Sequence, residues 1–262
     1  MSHPIDLQRR GAVAWLALAR PEVHNAFDAG LIDALNTMLD ALAADASVRA
    51  LVLTGQGSTF SAGADLHWMR GMAKASEAEN LADSLELARL MRTLNFFPKP
   101  TIARVNGSAY GGGVGLVACC DIAIAVEGAK FSLSEAKLGL VPAVISPYVV
   151  AAIGARQARK LFQTAEVFEA PEAARIGLLH RCVPAGELDE AVDRELHWLG
   201  KGGPIAQAEA KTLALRMGGL TREDAERIDA ENARLIARLR VSTEGQEGLG
   251  AFLDKRAPRW VG

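Results

Sequence analysis

Cysteine is scarce in this sequence, and so is any spacing of residues that holds a metal. Cys119, Cys120 and Cys182 are odd in number and two of them are adjacent, which excludes a disulfide framework. The five histidines stand singly, and no zinc-type spacing occurs. We therefore expect no metal or redox cofactor.

Excess charge and long apolar runs are also missing. The formal net charge is -2, which leaves no electrostatic footprint for nucleic acid. The apolar run at residues 13–19 ends at Arg20-Pro21, and the glycine-rich run at 111–120 stops at Asp121. Both are too short to cross a bilayer. We therefore expect a cytoplasmic protein without nucleic-acid or membrane partners.

Apolar residues make up half of the 262 positions, so the chain can bury a sizeable core. Strand and helix patterns alternate over residues 1–183, which indicates an α/β core. From residue 184 to 262 the patterns are helical only. The expected strands are 13–18, 49–54, 101–105 and 121–126, and the expected helices are 28–42, 76–97, 188–199, 205–217, 222–239 and 243–253.

The first segment that carries chemistry is TFSAGADL, residues 59–66. Its small residues leave the backbone open to a ligand, and the N–H of Ala64 could donate to an incoming oxygen. Asp65 suits the first turn of a following helix, where an acidic side chain complements the helix dipole. A plain junction between a loop and a helix has the same pattern.

The second segment is VNGSAYGGG, residues 105–113. It lacks the ending of a phosphate-binding loop and the spacing of a dinucleotide fingerprint. Its glycines let the backbone approach a ligand, and free N–H groups at a helix start bind developing negative charge. A tight turn is the alternative.

The third segment is FSLSEAKLGLVP, residues 131–142, with Glu135 between small and apolar neighbours. Burial would raise the pKa of Glu135 towards neutrality, as a general acid/base requires. An exposed glutamate in a first helical turn is the alternative.

The three segments, in this order, resemble the signature segments of the enoyl-CoA hydratase/isomerase (crotonase) superfamily. RPEVHNAF at 20–27, AARIGLL at 173–179 and GLGAFLDKR at 248–256 extend the resemblance over nearly the whole chain. It implies an α/β fold with a crotonase-like ββα spiral core at 1–183 and a helical C-terminal region at 184–262. That region is expected to form a homotrimer or a dimer of trimers.

The resemblance also implies an active site. The N–H groups of Ala64 and Gly112 would form an oxyanion hole for the thioester of an acyl-CoA, and Glu135 would move protons on the acyl chain. CoA enters as part of the substrate. The residues expected to contact substrate or CoA are Ala62, Ala64, Asp65, Leu66, His67, Gly111, Gly112, Phe252 and Lys255.

Gly115 departs from the family pattern. Hydratases of the family usually carry a second glutamate at this position, and a glycine cannot orient water. Three consequences are open: Glu135 works alone as the acid/base, the reaction is double-bond isomerisation, or the space above Gly115 admits a branched or carboxylated acyl group. A non-catalytic acyl-CoA-binding or RNA-binding member of the family is a further alternative.

A narrower resemblance concerns the substrate. SAGADLHWMR, VGLVACCDIAIA and GLVPAVISPYVV are similar to bacterial hydratases of 3-methylglutaconyl-CoA or isoprenoid-glutaconyl-CoA, which belong to leucine or acyclic terpene breakdown. Such a substrate calls for a cation near the acyl chain. The candidate cations are His67, Arg70 and Lys137, and the other acyl-pocket candidates are Trp68, Gly115 and Tyr110.

Overall fold

The computed structural model describes residues 3–262, which form strands and helices in alternation and then helices alone. The strands are β1 Ile5–Arg10, β2 Val13–Leu18, β3 Ala50–Gly55, β4 Thr59–Ser61, β5 Thr101–Val105, β6 Ser108–Tyr110, β7 Ile122–Val126, β8 Lys130–Ser132, β9 Phe168–Glu169 and β10 Arg181–Val183. The helices are α1 Ala29–Ala44, α2 Leu66–Lys74, α3 Glu77–Asn95, α4 Gly112–Cys119, α5 Ser146–Thr164, α6 Ala170–Arg175, α7 Leu188–Leu199, α8 Pro204–Met217, α9 Arg222–Arg240 and α10 Thr243–Leu253.

The strands form two sheets. The larger has the order β1-β2-β3-β5-β7-β10 and is parallel except for β1, which pairs antiparallel with β2. The smaller has the order β4-β6-β8-β9, in which β4, β6 and β8 are parallel. Parallel strands end at the same edge of a sheet. The smaller sheet therefore brings together the three segments singled out in the sequence, because each contains one of its parallel strands.

Local sequence explains where the long helices begin. The side chain of Asp28 accepts a hydrogen bond from the N–H of Leu31 at the start of α1. Ser76 and Glu79 form a capping box at the start of α3. The expected strands 13–18 and 101–105 and the expected helices 188–199 and 243–253 are confirmed at both ends.

The helical region after Val183 packs against the earlier part of the chain. Helix α9 lies along α3, and α10 lies on the 3₁₀ turn Ser134–Leu138. A Cβ added to Gly248 would lie 2.2 Å from the carbonyl oxygen of Leu138, so the two backbones are in direct contact. The division at residue 184 stays a prediction. No helix in the described residues is long and apolar enough to span a membrane.

Candidate active site

A cavity of about 260 Å³ opens beside the edge where the three segments meet. Helices α2, α3, α9 and α10, the start of α4 and the turn Ser134–Leu138 contribute to its walls. The lining is mainly apolar. Its charged side chains within residues 3–262 are Glu135, Lys137 and Arg240. Such a site takes an apolar chain and fixes it with a few polar contacts.

Glu135 lies in the turn Ser134–Leu138 and faces this cavity. Its Oε2 is buried and has no hydrogen-bond partner in the described chain. A Cβ added to Gly111 would lie 3.2 Å from Oε1, so the carboxyl group packs against the backbone at the start of α4. Burial removes water from the charged form and raises the pKa of Glu135 to about 7. The carboxyl group can therefore both accept and release a proton near neutral pH.

Two backbone N–H groups line the same cavity without a protein acceptor. Within the described residues, the N–H of Ala64 and the N–H of Gly112 donate no hydrogen bond. The loop before Ala64 lies close to β6, since a Cβ on Gly63 (φ +81°) would lie 2.9 Å from the carbonyl oxygen of Tyr110. Only glycine combines that φ with that approach. The two donors can stabilise an oxyanion without rearrangement.

A groove lined by charged residues of both signs joins the cavity, and its acidic residues are Glu22, Asp28 and Asp65. Arg20, His24, His67 and Arg70 line it, and Ala64 is among the residues that it shares with the cavity. Because Arg20 is paired with Asp28 and Asp65, a phosphorylated ligand whose other end enters the cavity would meet Arg70 as the arginine of the groove without an ion pair in the described chain.

Asp65 lies in the groove but is already engaged. Its carboxylate accepts hydrogen bonds from the N–H groups of His67 and Trp68, and it pairs with Arg20 at 3.2 Å. Asp65 therefore fixes the start of α2 beside Ala64.

Most of the residues predicted for the site lie together. Those that line the cavity are Ala62, Ala64, Trp68, Gly111, Gly112, Glu135 and Phe252. The groove adds Asp65, Leu66 and His67. Tyr110, Gly115 and Lys255 line neither. The carbonyl of Tyr110 contacts the Gly63 loop instead.

The space expected above Gly115 is filled. A Cβ on Gly115 would lie 2.3 Å from Cγ2 of Ile145 and 3.2 Å from Sδ of Met91. Ile145 itself lines the cavity, so its side chain stands between Gly115 and any ligand. The idea that the glycine makes room for a substituent is therefore wrong, and Glu135 is the one carboxyl group lining the cavity in the described chain.

The expected cations are distributed differently from the prediction. Lys137 lines the cavity but is exposed, while His67 and Arg70 lie in the groove. Arg240, which is not among the residues predicted from the sequence, also lines the cavity, and its side chain is only 14% exposed. An arginine in the last turn of a helix ordinarily complements the helix dipole, so its position in the sequence carries no signal of a ligand.

Comparison with known proteins gives the family. The model of the enoyl-CoA hydratase/isomerase family matches residues 8–262. The chain belongs to this family. The 2,3-dehydroadipyl-CoA hydratase of Escherichia coli (strain K12) is 34% identical to it, over 98% of each chain. The crotonyl-CoA hydratase of Syntrophomonas wolfei is 32% identical, over 98% of this chain and 97% of its own.

Solved structures of the family share the fold. The crystal structure of an enoyl-CoA hydratase from Shewanella pealeana is 45% identical with a TM-score of 0.81, over 98% of this chain and 96% of its own. The crotonase-like α/β fold and the expectation of a hydro-lyase-type enzyme of the enoyl-CoA hydratase class are confirmed. The roles of the predicted site residues stay predictions.

The raised pKa of Glu135 predicts a pH-dependent cost to stability. Between pH 4.5, its ordinary value, and about 7, the folded protein holds a proton that the unfolded chain has released. The free energy of unfolding of the parent therefore falls as the pH rises through this window. Glu135→Gln removes the titration, so its free energy of unfolding relative to the parent should rise by on the order of 2 kcal/mol across the window.

Urea unfolding of both proteins at about pH 5 and about pH 8 measures this difference. An equal difference at both pH values would show that the carboxyl group titrates normally. Glu127→Gln, at an exposed residue, is the matched control.

Proposed function

We propose that this protein hydrates the α,β-double bond of a branched or carboxylated enoyl-CoA, with 3-methylglutaconyl-CoA as the model substrate. The observation that carries the proposal is the buried carboxyl group of Glu135, without a partner in the described chain, in a cavity that two free N–H groups also line. An acid/base and an oxyanion hole are the two devices that this reaction requires.

The proposed reaction uses one carboxyl group twice. The thioester oxygen accepts hydrogen bonds from Ala64 N–H and Gly112 N–H. The Glu135 carboxylate takes a proton from water while the water oxygen bonds to C3, and the electron pair of the double bond moves towards the thioester oxygen. The resulting enolate is stabilised by the two N–H donors. Protonated Glu135 then gives its proton to C2, which returns the carboxylate.

The substrate class rests on the cations and on one relative. Lys137 and Arg240 line a cavity that is otherwise mostly apolar, which suits an acyl chain with a carboxylate. The E. coli relative is named a 2,3-dehydroadipyl-CoA hydratase, and a dehydroadipyl chain ends in a carboxylate. In this proposal CoA lies in the groove, with Phe252 at the junction between groove and cavity.

Double-bond isomerisation is the second candidate. The observation that favours it is that no second carboxyl group of residues 3–262 lines the cavity, because Gly115 stands at the expected position and Ile145 fills the space. One acid/base can remove a proton from one carbon and return it to another.

Incubation with a panel of enoyl-CoA thioesters, followed by mass analysis, tests the proposal. Hydration adds the mass of one water and removes the absorbance of the conjugated double bond, whereas isomerisation leaves the mass unchanged. The panel pairs 3-methylglutaconyl-CoA with crotonyl-CoA. A product of unchanged mass from every substrate would contradict hydration, and preference for crotonyl-CoA would contradict the substrate class.

We also propose that the protein assembles as a homotrimer or a dimer of trimers. Helix α8 has no buried residue, and Ile205 and Met217 on it are 79% and 70% exposed. Trp198 on the adjoining helix α7 is 66% exposed. A surface this apolar is typical of a contact with another protein. A symmetric copy of the chain is the occupant that the family resemblance implies.

Light scattering at micromolar concentration should give three or six times the mass of the chain. Ile205→Glu together with Met217→Glu should lower that mass, because a buried interface cannot hold unpaired charges. Val167→Glu, an exposed apolar residue outside α7 and α8, is the control. A monomeric parent protein would remove the assembly proposal.

A further inference from the structure

Three helices meet at one corner of the cavity. Trp68 on α2 donates a hydrogen bond from Nε1 to Oδ1 of Asp83 on α3, at 3.0 Å. Arg240 at the end of α9 donates from Nη1 to Oδ2 of the same carboxylate, at 3.1 Å. The guanidinium group of Arg240 also lies 5.9 Å from the centre of the Trp68 ring. Side chains from α2, α3 and α9 therefore fix one another's positions at this corner.

Within the described residues, the side chain of Arg240 donates all of its hydrogen bonds from one nitrogen. Nη1 donates to Asp83, to Oδ1 of Asn80 at 3.3 Å and to Oγ of Ser84 at 3.3 Å. Its Nε and Nη2 donate to no group within residues 3–262. A guanidinium group carries five N–H donors in a rigid plane. Anchoring one end of the plane leaves the other donors available to a ligand.

The surroundings define what that ligand is. An acyl chain that is apolar throughout would leave these donors unpaired in a mostly apolar cavity, which costs free energy. A carboxylate accepts two parallel hydrogen bonds from a guanidinium group. Lys137 supplies only a mobile point charge, because it is exposed and forms no ion pair in the described chain.

We propose that Arg240 determines substrate specificity by binding a carboxylate carried by the acyl chain, through Nε and Nη2. Asp83 is the positioning residue: it fixes the guanidinium plane, and its charge moderates the attraction for the ligand. The inference rests on the proposed function only in placing the acyl chain in this cavity.

Binding of unreactive thioesters tests the proposal apart from catalysis. The probes are glutaryl-CoA and 5-methylhexanoyl-CoA, which has an isopropyl group in place of the carboxylate. Calorimetry should give a parent Kd for glutaryl-CoA at least ~10-fold lower than that for 5-methylhexanoyl-CoA. Arg240→Met should remove this preference, and Arg240→Lys should retain part of it.

Asp83→Asn should strengthen the preference for glutaryl-CoA that Arg240→Met removes. The single amide oxygen can still accept from Arg240 Nη1, at the loss of the hydrogen bond from Trp68, and the negative charge that competes with the ligand is removed. The preference for glutaryl-CoA should therefore increase by ~3-fold or more. A residue that only stabilises the fold would not strengthen binding of one thioester when its partner is neutralised. This variant also keeps the proposal testable if Arg240→Met, which leaves Asp83 without its cation, fails to fold.

Arg104→Met is the matched control. Arg104 is 20% exposed and pairs with Asp189 at 2.6 Å, but it lies on β5 and does not line the cavity. The preference of the Arg104→Met variant for glutaryl-CoA over 5-methylhexanoyl-CoA should equal that of the parent.

Equal weakening of both thioesters by Arg240→Met, or a parent without preference, would overturn the role of Arg240. The hydration proposal would stand in either case if the panel gave hydrated products. Failure of the parent to bind either thioester would overturn both.

Discussion

Replacement of Glu135 by glutamine is expected to lower kcat by at least ~100-fold, since general acid/base catalysis of this kind contributes about 10²–10⁴-fold. Glutamine has the shape of the parent side chain but cannot take a proton from water or return one to carbon. The N–H groups of Ala64 and Gly112 are untouched, so the thioester should still bind with little change in affinity. The loss should therefore appear in kcat rather than in KM.

Steady-state rates on the best substrate of the panel, with calorimetry of a saturated acyl-CoA, separate the two effects. Glu127→Gln, on the exposed side of the turn after β7, should have parent activity. If folded Glu135→Gln turned over at a near-normal rate, the acid/base would have to be another group.

Replacement of Ala64 by tryptophan is expected to lower kcat/KM by at least ~100-fold, because the reacting carbonyl can no longer reach its donors. Ala64 borders both the cavity and the groove, so a large side chain there closes the junction between them. Unlike Glu135→Gln, this variant should lose affinity for acyl-CoA as well as turnover. Calorimetry with a saturated acyl-CoA measures that loss directly.

Ala155→Trp provides the control for the introduction of a large side chain. Ala155 is exposed on α5 and lines neither the cavity nor the groove. Both variants should have the same circular dichroism spectrum as the parent. Normal binding and turnover by Ala64→Trp would mean that the thioester does not lie beside the Gly63–Ala64 loop.

Elements with a clear hydrophobic period were predictable from sequence, whereas helix α5 at Ser146–Thr164 and the three-residue strands were not. Helix α10 and strand β5 have both ends where the pattern placed them, since eleven and five residues carry a clear period. Strands β4, β6 and β8 have three residues each, which is too few for alternation to be seen. Their pairing depends on neighbours distant in the sequence. These strands nevertheless bring the site together.

The same limit separates the predictable site residues from the others. Ala64, Gly112 and Glu135 lie in segments whose small residues and glycines already indicate an open backbone. Arg240 takes its place in the cavity from α3, whose side chains hold one nitrogen of the guanidinium group. The sequence alone shows that a glycine stands at position 115, but it does not show that the side chain of Ile145 fills the space beside that glycine.

Helix α10 lies on the turn Ser134–Leu138 that carries Glu135, and it is among the last parts of the chain to be synthesised. The pKa of Glu135 should therefore depend on whether α10 has already been made. The two sheets and both oxyanion donors are complete once residue 183 is available. Leu249 and Phe252 of α10, which help to cover the cavity, are added much later. Until then Glu135 lacks the part of its apolar surroundings that α10 supplies, so we expect its pKa to be lower than in the complete chain. A nascent or clipped chain without α10 should thus have a less basic carboxylate at Glu135, and activate water more slowly, than the complete chain.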